Sequence, residues 1–506
     1  MKPRTRLLLE AEPFQSASGA INAWVEEELR ALGHDVERHN HYHPNAGDMG
    51  IPVANARRLL ALRSQPTADL AVCCDMGLGI HAPSRELARR SFVFFHGMHG
   101  QPTTWLGNPL IDRYGTLSPY LHDTLTSLLL IPDWTHRRCL DPWGARKVDS
   151  LVPTLPCLEA ADGDARLPGG DLPADVQEAL ARGEVLGHAI QPNKADWLAV
   201  CAILLHLRTL TREHGHRPVR LVVAAQDFAL LQHVLRYGQP FPVPALAAAL
   251  QAAGATLEDL LLPVPLLSQP ALFRLFREAR FALSYNVTPE PFGMYVLESV
   301  LNACPVYTNG AGNNRHALPP GHGIHVHETA RMAAGAPDAH ASVAARILQD
   351  LLAPEPVRQA CLRGAALIRR TFTREAFSSS FRACMARMES DTAKPGWSFD
   401  DLVVRLSPTV RRLDADSGRF SSDYRDDRLS PEEQELLPRL LGRSAGQLGH
   451  GESRLEPLQA LFDKGVLSLT PPVGAEPPRP TGGAWPWYPP DSAFLSPSLL
   501  QDPGTP

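Results

Sequence analysis

The chain has 506 residues, of which 44% are hydrophobic and 20% are charged, as in ordinary globular proteins. This composition excludes a disordered or collagen-like chain, and the length allows about three to five domains. The formal net charge is only −5, so no overall basic field points to nucleic acid or to an anionic membrane surface. We therefore expect a folded enzyme or binding protein that meets anionic ligands through local groups.

The cysteine pattern and the N-terminus bear on cellular location. Eight cysteines lie scattered along the chain without a CxxC pair, which favours a reducing compartment over a disulfide framework or a zinc site. The apolar run at residues 7–9 is too short for a signal peptide, and no run approaches the ~18 residues of a membrane span. The sequence thus predicts a cytoplasmic protein without an integral membrane segment.

The first 150 residues alternate strand-like and helix-like patterns. Residues 6–10 form a short apolar run, residues 21–32 repeat apolar side chains at helical spacing, and residues 34–38 resume as a strand. Residues 68–74 and 91–95 are further apolar runs of strand length. Strands that alternate with helices predict a parallel, doubly wound sheet.

A second alternating series begins after a Gly- and Asp-rich linker at residues 159–175. Its predicted strands lie at residues 185–190, 219–225, 280–285 and 305–308, with helices between them. The sequence therefore predicts an α/β protein with two Rossmann-like domains, residues 1–158 and 176–370, followed by a cross-over helix at 371–390.

Residues 397–506 differ from the preceding residues in composition and in predicted secondary structure. Short strands and helices at 397–470 predict a small α+β module, in which Ser430 and Glu433 form a capping box. Between residues 471 and 506, 11 of 36 residues are Pro, which predicts an extended tail. The aromatic residues of this tail either dock on the body of the protein or meet a partner, and both alternatives remain open.

The most informative segment, residues 288–312, reads TPEPFGMYVLESVLNACPVYTNGAG. Phe292, Gly293 and Met294 stand at the start of a helix predicted at 294–301, where unpaired N–H groups and the helix dipole favour a diphosphate. Glu290 precedes that helix and Glu298 lies within it, so each carboxylate can accept hydrogen bonds from ribose or sugar hydroxyls. Taken alone, two Glu at this spacing also fit a solvated helix face.

Around these residues the chain resembles the retaining GT-B glycosyltransferases of family four, often called group 1 glycosyl transferases. The matching residues are Glu290, Pro291, Phe292, Gly293, Leu297, Glu298, Pro305, Val306, Gly310 and Gly312. The chain departs at Ala303 and Cys304, where the family usually has a Gly before Pro, and at His316, aligned with a frequent loop Glu. The resemblance extends to residue 390 and implies the GT-B fold, in which two Rossmann-like doubly wound domains face a cleft.

The resemblance also implies which residues form the site. Asn193 and Lys194 correspond to the segment that grips the donor diphosphate, with His188 in place of the usual Arg, and an ammonium there offsets charge on the leaving group. Ser18 and Gly19 correspond to a glycine-rich loop after the first strand. The predicted catalytic residues are His96, Lys194 and Glu290, and the predicted donor-binding residues are Ser18, Gly19, His188, Asn193, Lys194, Glu290, Phe292, Gly293, Met294 and Glu298.

Structural explanations compete with three of these assignments. Lys194 also fits an ordinary surface lysine, Gly19 a simple turn, and His96 a packed core histidine. His96 follows a predicted strand end, where ligand clefts of α/β proteins open, and His99 is the second choice for the same role.

The implied function is transfer of a sugar from a nucleotide-diphosphate donor to an acceptor, with retention of anomeric configuration and without a metal or other cofactor. The acceptor is left open as a small molecule, a glycan or a peptide. Two alternatives also remain. In the first, the chain is a non-catalytic sugar-nucleotide-binding or scaffold protein. In the second, residues 397–470 recruit a peptide acceptor, because they vaguely resemble winged-helix modules that bind leader peptides. A third possibility, that this module binds nucleic acid, is disfavoured because acidic residues intersperse its arginines.

Overall fold

The computed structural model describes residues 2–10, 17–41, 50–74, 84–97, 106–155, 170–190, 195–237, 243–327, 337–390, 396–414, 417–448, 455–472, 485 and 487–488. The chain divides into two compact units. The first unit comprises Met1–Pro156, Thr371–Ser422 and Asp427–Pro506, and the second comprises Cys157–Arg370 with Asp423–Asp426.

The N-terminal part of the first unit is an α/β layer structure. Its strands are β1 (Arg4–Glu10), β2 (Asp35–His41), β3 (Ala68–Cys74), β4 (Ala88–Phe95), β5 (Arg113–Thr116), β6 (Pro132–Asp133), β7 (Arg138–Cys139) and β8 (Val148–Ser150). Its helices are α1 (Ala17–Ala31), α2 (Gly50–Arg63), α3 (Pro119–Leu129) and α4 (Pro142–Arg146). Six strands form one parallel sheet in the order β2-β1-β3-β4-β5-β8. Leu7, Leu8 and Leu9 are all buried, as expected where helices cover both faces of a parallel sheet.

The second unit repeats this architecture. Its strands are β9 (Val185–His188), β10 (Val219–Ala224), β11 (Leu261–Val264), β12 (Phe281–Ser284), β13 (Val306–Thr308) and β14 (Ile324–Val326). Its helices are α5 (Ala174–Ala181), α6 (Trp197–Glu213), α7 (Ala225–Tyr237), α8 (Val243–Ala252), α9 (Leu257–Leu260), α10 (Gln269–Glu278), α11 (Met294–Leu301), α12 (Pro337–Leu352) and α13 (Pro354–Thr371). The strands form a second parallel sheet in the order β11-β10-β9-β12-β13-β14. This is the Rossmann strand order, so the prediction of two doubly wound α/β halves is confirmed.

The chain then returns to the first unit through a helix and a small α+β segment. The elements are α14 (Arg374–Ser390), β15 (Val403–Leu406), β16 (Val410–Leu413), β17 (Arg419–Ser422), β18 (Asp426–Arg428), α15 (Pro431–Leu440), α16 (Leu455–Asp463) and β19 (Leu467–Thr470). Strand β15 pairs with β19, and β16, β17 and β18 form a three-stranded sheet. The predicted capping box of Ser430 and Glu433 is confirmed at the start of α15.

Helix α14 packs on α1 within the first unit. Glu28 of α1 accepts hydrogen bonds from Ser378 Oγ at 2.5 Å and from Arg382 Nε at 3.0 Å. The Trp24 and Phe377 rings lie 6.0 Å apart between the same helices. The helix that follows the second unit therefore belongs to the first.

The small α+β segment shares one hydrophobic core with the first sheet. Buried residues of the sheet and its helices, such as Val93 and Leu121, belong to the same cluster as buried residues of the segment, which include Leu402, Val404, Leu437, Leu458 and Leu469. The ring of Trp134 lies 5.4 Å from Phe399 and 5.5 Å from Phe462. Apart from Asp423–Asp426, the described residues between 397 and 470 are thus part of the body of the first unit.

The described part of the tail also docks on the first unit. The Trp485 ring lies 5.1 Å from the Phe372 ring, and Tyr488 Oη donates a hydrogen bond to Asp123 Oδ2 at 2.9 Å. Of the two alternatives for the tail aromatics, the structure therefore favours docking. Within the described ranges, no helix has the length and apolar character needed to span a bilayer.

Candidate donor-binding site

The sheet of the second unit reverses its winding between β9 and β12. In open α/β sheets, ligands bind outside the carboxyl ends of the strands at such a switch point. Residues that follow the two strands meet directly there: Ala195 and Asn286 form an antiparallel bridge, and Asp196 N donates to Tyr285 O at 2.6 Å. Ala195 directly follows the predicted Lys194, and Asn286 lies four residues before the predicted Glu290, so the two predicted segments approach each other here.

Asparagine side chains hold the loops at this edge in place. Asn309 accepts from Asn286 N at 3.3 Å through Oδ1 and donates to Asn286 O at 2.9 Å through Nδ2. Asn314 Nδ2 donates to Ser284 Oγ at 3.1 Å, and Asn313 Nδ2 donates to Phe292 O at 2.6 Å. The segment after β12 is therefore tied to the segment after β13.

Glu290 lies on the first of these segments and is half-buried. Its backbone pairs with Gly312 in a parallel bridge, and Asn313 N donates to Glu290 O at 2.6 Å. Gly312 has a φ of 63°, and a Cβ atom there would stand 2.3 Å from Glu290 N. Only glycine permits this close approach, so the predicted Gly-containing loop positions the backbone of Glu290.

Helix α11 begins next to Glu290, and its bounds agree with the predicted helix at 294–301. Gly293 is the N-cap with a left-handed φ of 93°, and no side chain caps the helix. The first-turn amides of Met294 and its neighbours have no carbonyl partner within the helix, which makes this end a natural site for an anion. Phe292, which precedes the N-cap, is buried.

Several buried polar atoms at this edge have no hydrogen-bond partner among the described residues. They are Tyr285 Oη, Asn286 Nδ2 and Oδ1, Thr288 Oγ1, Asn313 Oδ1 and Asn314 Oδ1. Orphaned polar atoms of this kind are rare in folded proteins and call for a specific partner. The composition of the set, with both donors and acceptors, suits a ligand rich in hydroxyl groups.

Glu298 lies one turn inside α11, and its residue is 8% exposed. Burial alone raises the pKa of Glu298 to about 8. Burial is the one cause of this shift, and it favours the protonated form of the carboxyl group. A ligand that donates hydrogen bonds to the ionised form would reverse this shift.

The pKa of Glu298 predicts how stability depends on pH. The pKa of Glu298 in the folded protein lies above the ordinary value of 4.5. The contribution of this carboxyl group to the free energy of unfolding is therefore fully present below about pH 4.5 and is lost as pH rises through about 8. Glu298→Gln cannot ionise at this position. We therefore expect the unfolding free energy of the wild type to fall, relative to that of Glu298→Gln, by a few kcal/mol as pH rises from 5 to 9. Melting temperatures of both proteins across this range test it, and two parallel curves would contradict it.

His188 ends β9 and is fully buried. Its Nδ1 lies 2.7 Å from Tyr295 Oη, its Nε2 lies 3.2 Å from Ser299 Oγ, and its ring stacks on Phe276 at 4.2 Å. Burial lowers the pKa of His188 to about 3, so the ring carries no charge at neutral pH. This placement favours a role in positioning α11 over the predicted contact with the donor.

His96 lies in the first unit at the carboxyl end of β4 and is nearly buried. Its Nε2 donates to Asn22 Oδ1 at 2.9 Å, which leaves Nδ1 as an acceptor without a partner among the described residues. Burial lowers the pKa of His96 to about 3. A neutral ring with an open acceptor suits a hydroxyl donor, and the role of His96 stays a prediction.

Other predicted site residues are described in part or not at all. Helix α1 begins at Ala17, so Ser18 and Gly19 lie in its first turn and not in the loop before it. Asn193, Lys194 and His99 lie outside the described residues. Their predicted roles stay predictions.

Sequence reasoning missed the asparagines at this edge. Asn286, Asn309, Asn313 and Asn314 are buried and connect the loops, yet nothing in their spacing marks them as a group. The run Thr308 to Asn314, with two glycines among three asparagines, was the available signal. His316, where the resemblance implies a Glu, is half-buried, and its Nε2 accepts a hydrogen bond from Arg315 Nε at 3.1 Å.

Metal binding finds no support in the described ranges. They contain no group of three or more His, Cys, Asp or Glu side chains that could hold a metal ion. Metal independence of any reaction stays a prediction.

Comparisons with known proteins identify the fold. No protein-family model matches the sequence. No curated protein matches it.

Solved structures do match. A UDP-forming α,α-trehalose-phosphate synthase from Burkholderia vietnamiensis aligns over 78% of this chain and 99% of its own, with 12% identity and a TM-score of 0.53. Sucrose-phosphate synthase from Thermosynechococcus elongatus aligns over 77% and 100%, with 13% identity and a TM-score of 0.51. A glycosyltransferase from Rickettsia africae aligns over 77% and 98%, with 11% identity and a TM-score of 0.50. At these identities the likeness concerns the fold, which is the GT-B fold of glycosyltransferases, as predicted.

Proposed function

We propose that this protein is a glycosyltransferase that moves a sugar from a nucleotide-diphosphate donor to an acceptor with retention of anomeric configuration. The observation that carries the proposal is the edge of the second sheet at its switch point. There α11 starts four residues after Glu290 without a side-chain cap, and buried polar atoms of Asn286 and Thr288 lack partners among the described residues. The names of the structural relatives, two of them sugar-phosphate synthases, support a nucleotide-sugar donor.

Each proposed role follows from the chemistry of its group. The N–H groups at the start of α11 hold the diphosphate, because the helix dipole and unpaired donors favour negative charge. The Glu298 carboxylate accepts hydrogen bonds from the ribose, and Glu290 accepts them from the donor sugar. Lys194 stabilises the charge that builds on the leaving diphosphate, and His96 contacts the reacting sugar through its open acceptor.

A panel of nucleotide sugars tests the proposal. The donor that binds raises the melting temperature, because a ligand at 100 times its dissociation constant stabilises the fold by about 2.7 kcal/mol. Release of nucleoside diphosphate from that donor without an acceptor distinguishes an enzyme from a non-catalytic binding protein. The anomeric configuration of a transfer product, read by NMR, tests retention.

Lys194→Ala is expected to lower turnover by about 10² to 10³, the range for loss of one preorganised charge-stabilising donor. Addition of EDTA is expected to leave the wild-type rate unchanged, because the ammonium and helix amides carry the charge. Steady-state kinetics of purified variants measure both effects. Lys2→Ala, which alters an exposed lysine of the first unit, serves as the control. Full activity of Lys194→Ala, or loss of wild-type activity in EDTA, would refute the metal-free assignment.

A further inference from the structure

A carboxylate from the C-terminal part of the chain enters the second unit. Asp423 lies in the turn between β17 and β18, and residues 423–426 belong to the second unit although β17 and the rest of β18 belong to the first. The Asp423 side chain is 0% exposed. A fully buried carboxylate is costly unless charged or polar partners compensate it.

Its partners lie in the loop that follows β13. Asp423 Oδ1 accepts from Gly312 N at 2.9 Å, and Arg315 Nη1 donates to Oδ1 at 3.0 Å and to Oδ2 at 3.2 Å. Arg315 Nη1 also donates to Gly310 O at 3.0 Å, and its side chain is 9% exposed. The ion pair is therefore buried, and its hydrogen bonds hold the loop at three points.

The same loop holds Glu290. The N–H of Gly312 donates a hydrogen bond to the carboxylate of Asp423, and Gly312 forms the parallel bridge with Glu290. The next residue, Asn313, donates its backbone N–H to Glu290 O. Asp423 thus binds the N–H of Gly312, and the residues on either side of Gly312, Ala311 and Asn313, make the hydrogen bonds to the backbone of Glu290. Since Gly310 and Gly312 both have positive φ, the loop has little conformational preference of its own and needs external contacts to stay in this form.

We propose that Asp423 is a positioning residue for Glu290, so that the C-terminal segment completes the candidate donor site from outside the Rossmann-like domain. The catalytic part of this inference rests on the proposed function. The structural part concerns only the order of residues 286–293 and 308–316.

Hydrogen–deuterium exchange tests the structural part in the full-length protein. Asp423→Ala and the isosteric Asp423→Asn are compared with Asp426→Asn, a neighbouring exposed carboxylate. We expect exchange in peptides covering 286–293 and 308–316 to rise about tenfold or more in Asp423→Ala, less in Asp423→Asn, and not in the control. Peptides from β10 serve as an internal reference. Unchanged exchange in both peptides for both Asp423 variants would overturn the inference.

Kinetics test the catalytic part. With Glu290 misplaced, we expect kcat for donor turnover to fall about 10- to 100-fold, while affinity for the free nucleoside diphosphate stays within about twofold. Equal loss of nucleoside-diphosphate affinity would indicate general damage to the unit and overturn the positioning role. If the wild type turns over no donor, the proposed function fails, and the exchange experiment still decides the inference.

Discussion

A chain that ends at residue 390 is expected to be insoluble or to lose cooperative unfolding. It keeps both parallel sheets and α14, so the sequence alone predicts that it folds, with a structural clamp by the C-terminal residues as the alternative. The structure favours the opposite result, because truncation removes Phe399 and Phe462 from Trp134 and opens the shared core of the first unit.

The free energy of unfolding that the truncated chain is expected to lose exceeds the total for an ordinary domain. Burial of one Leu, Val or Phe side chain stabilises a fold by about 1.5 to 3 kcal/mol. Many such residues of the segment are buried, including Leu402, Val404, Phe420, Leu437, Leu440, Leu458, Leu461, Val466, Leu467 and Leu469. Total unfolding free energies are only about 5 to 15 kcal/mol, so the remaining chain cannot compensate.

Soluble yield and thermal unfolding measure this effect. A chain that ends at residue 472 is the matched control, since it keeps the segment and, among the described contacts, loses those of Trp485 and Tyr488. We expect the control to remain folded with a moderately lower melting temperature. A stable 390-residue protein that unfolds cooperatively near the wild-type temperature would contradict the structural role and revive acceptor recruitment as the purpose of the segment.

Asp149→Ala is expected to destabilise the protein by about 3 to 5 kcal/mol, the cost of breaking a buried ion pair. Asp149 lies between two arginines of the first unit: Arg113 Nη1 donates to its Oδ2 at 2.7 Å, and Arg387 Nε of α14 donates to its Oδ1 at 3.0 Å. The side chains of Arg113 and Asp149 are 1% and 2% exposed. Removal of the carboxylate leaves the Arg113 charge buried without this counterion.

Chemical denaturation gives the change in unfolding free energy. The control is Glu435→Ala, because the Glu435 and Arg439 side chains are 70% and 59% exposed and such a helical pair contributes about 0.3 to 0.5 kcal/mol. The double variant Arg113→Met, Asp149→Leu is expected to recover most of the loss, since apolar residues can replace a buried ion pair. A loss below about 1 kcal/mol for Asp149→Ala would show that the charge of Arg113 is satisfied elsewhere.

The sequence by itself determined those features that depend on near neighbours. Alternation of apolar runs with helical spacing predicted two doubly wound halves, and the structure confirms them. Helix α11 was predicted with its bounds, because a Gly turn followed by an apolar helical repeat is a local signal. Glu290 and Glu298 could be named from the same segment, since their spacing along one turn and helix needs no tertiary information.

Tertiary structure alone decided what depends on residues far apart in the chain. Asp423 meets Gly312 across 111 residues, and no pattern in either segment signals the other. His188 occupies a position where the resemblance implies a cation, yet the packing of Phe276, Tyr295 and Ser299 around it keeps the ring neutral. The segment after residue 396 looked separable because its composition changes, but composition cannot reveal that its apolar side chains share a core with the first sheet. Whether a side chain is buried, and which group it pairs with, depends on contacts between segments that are distant in the sequence. These contacts exist only in the folded chain.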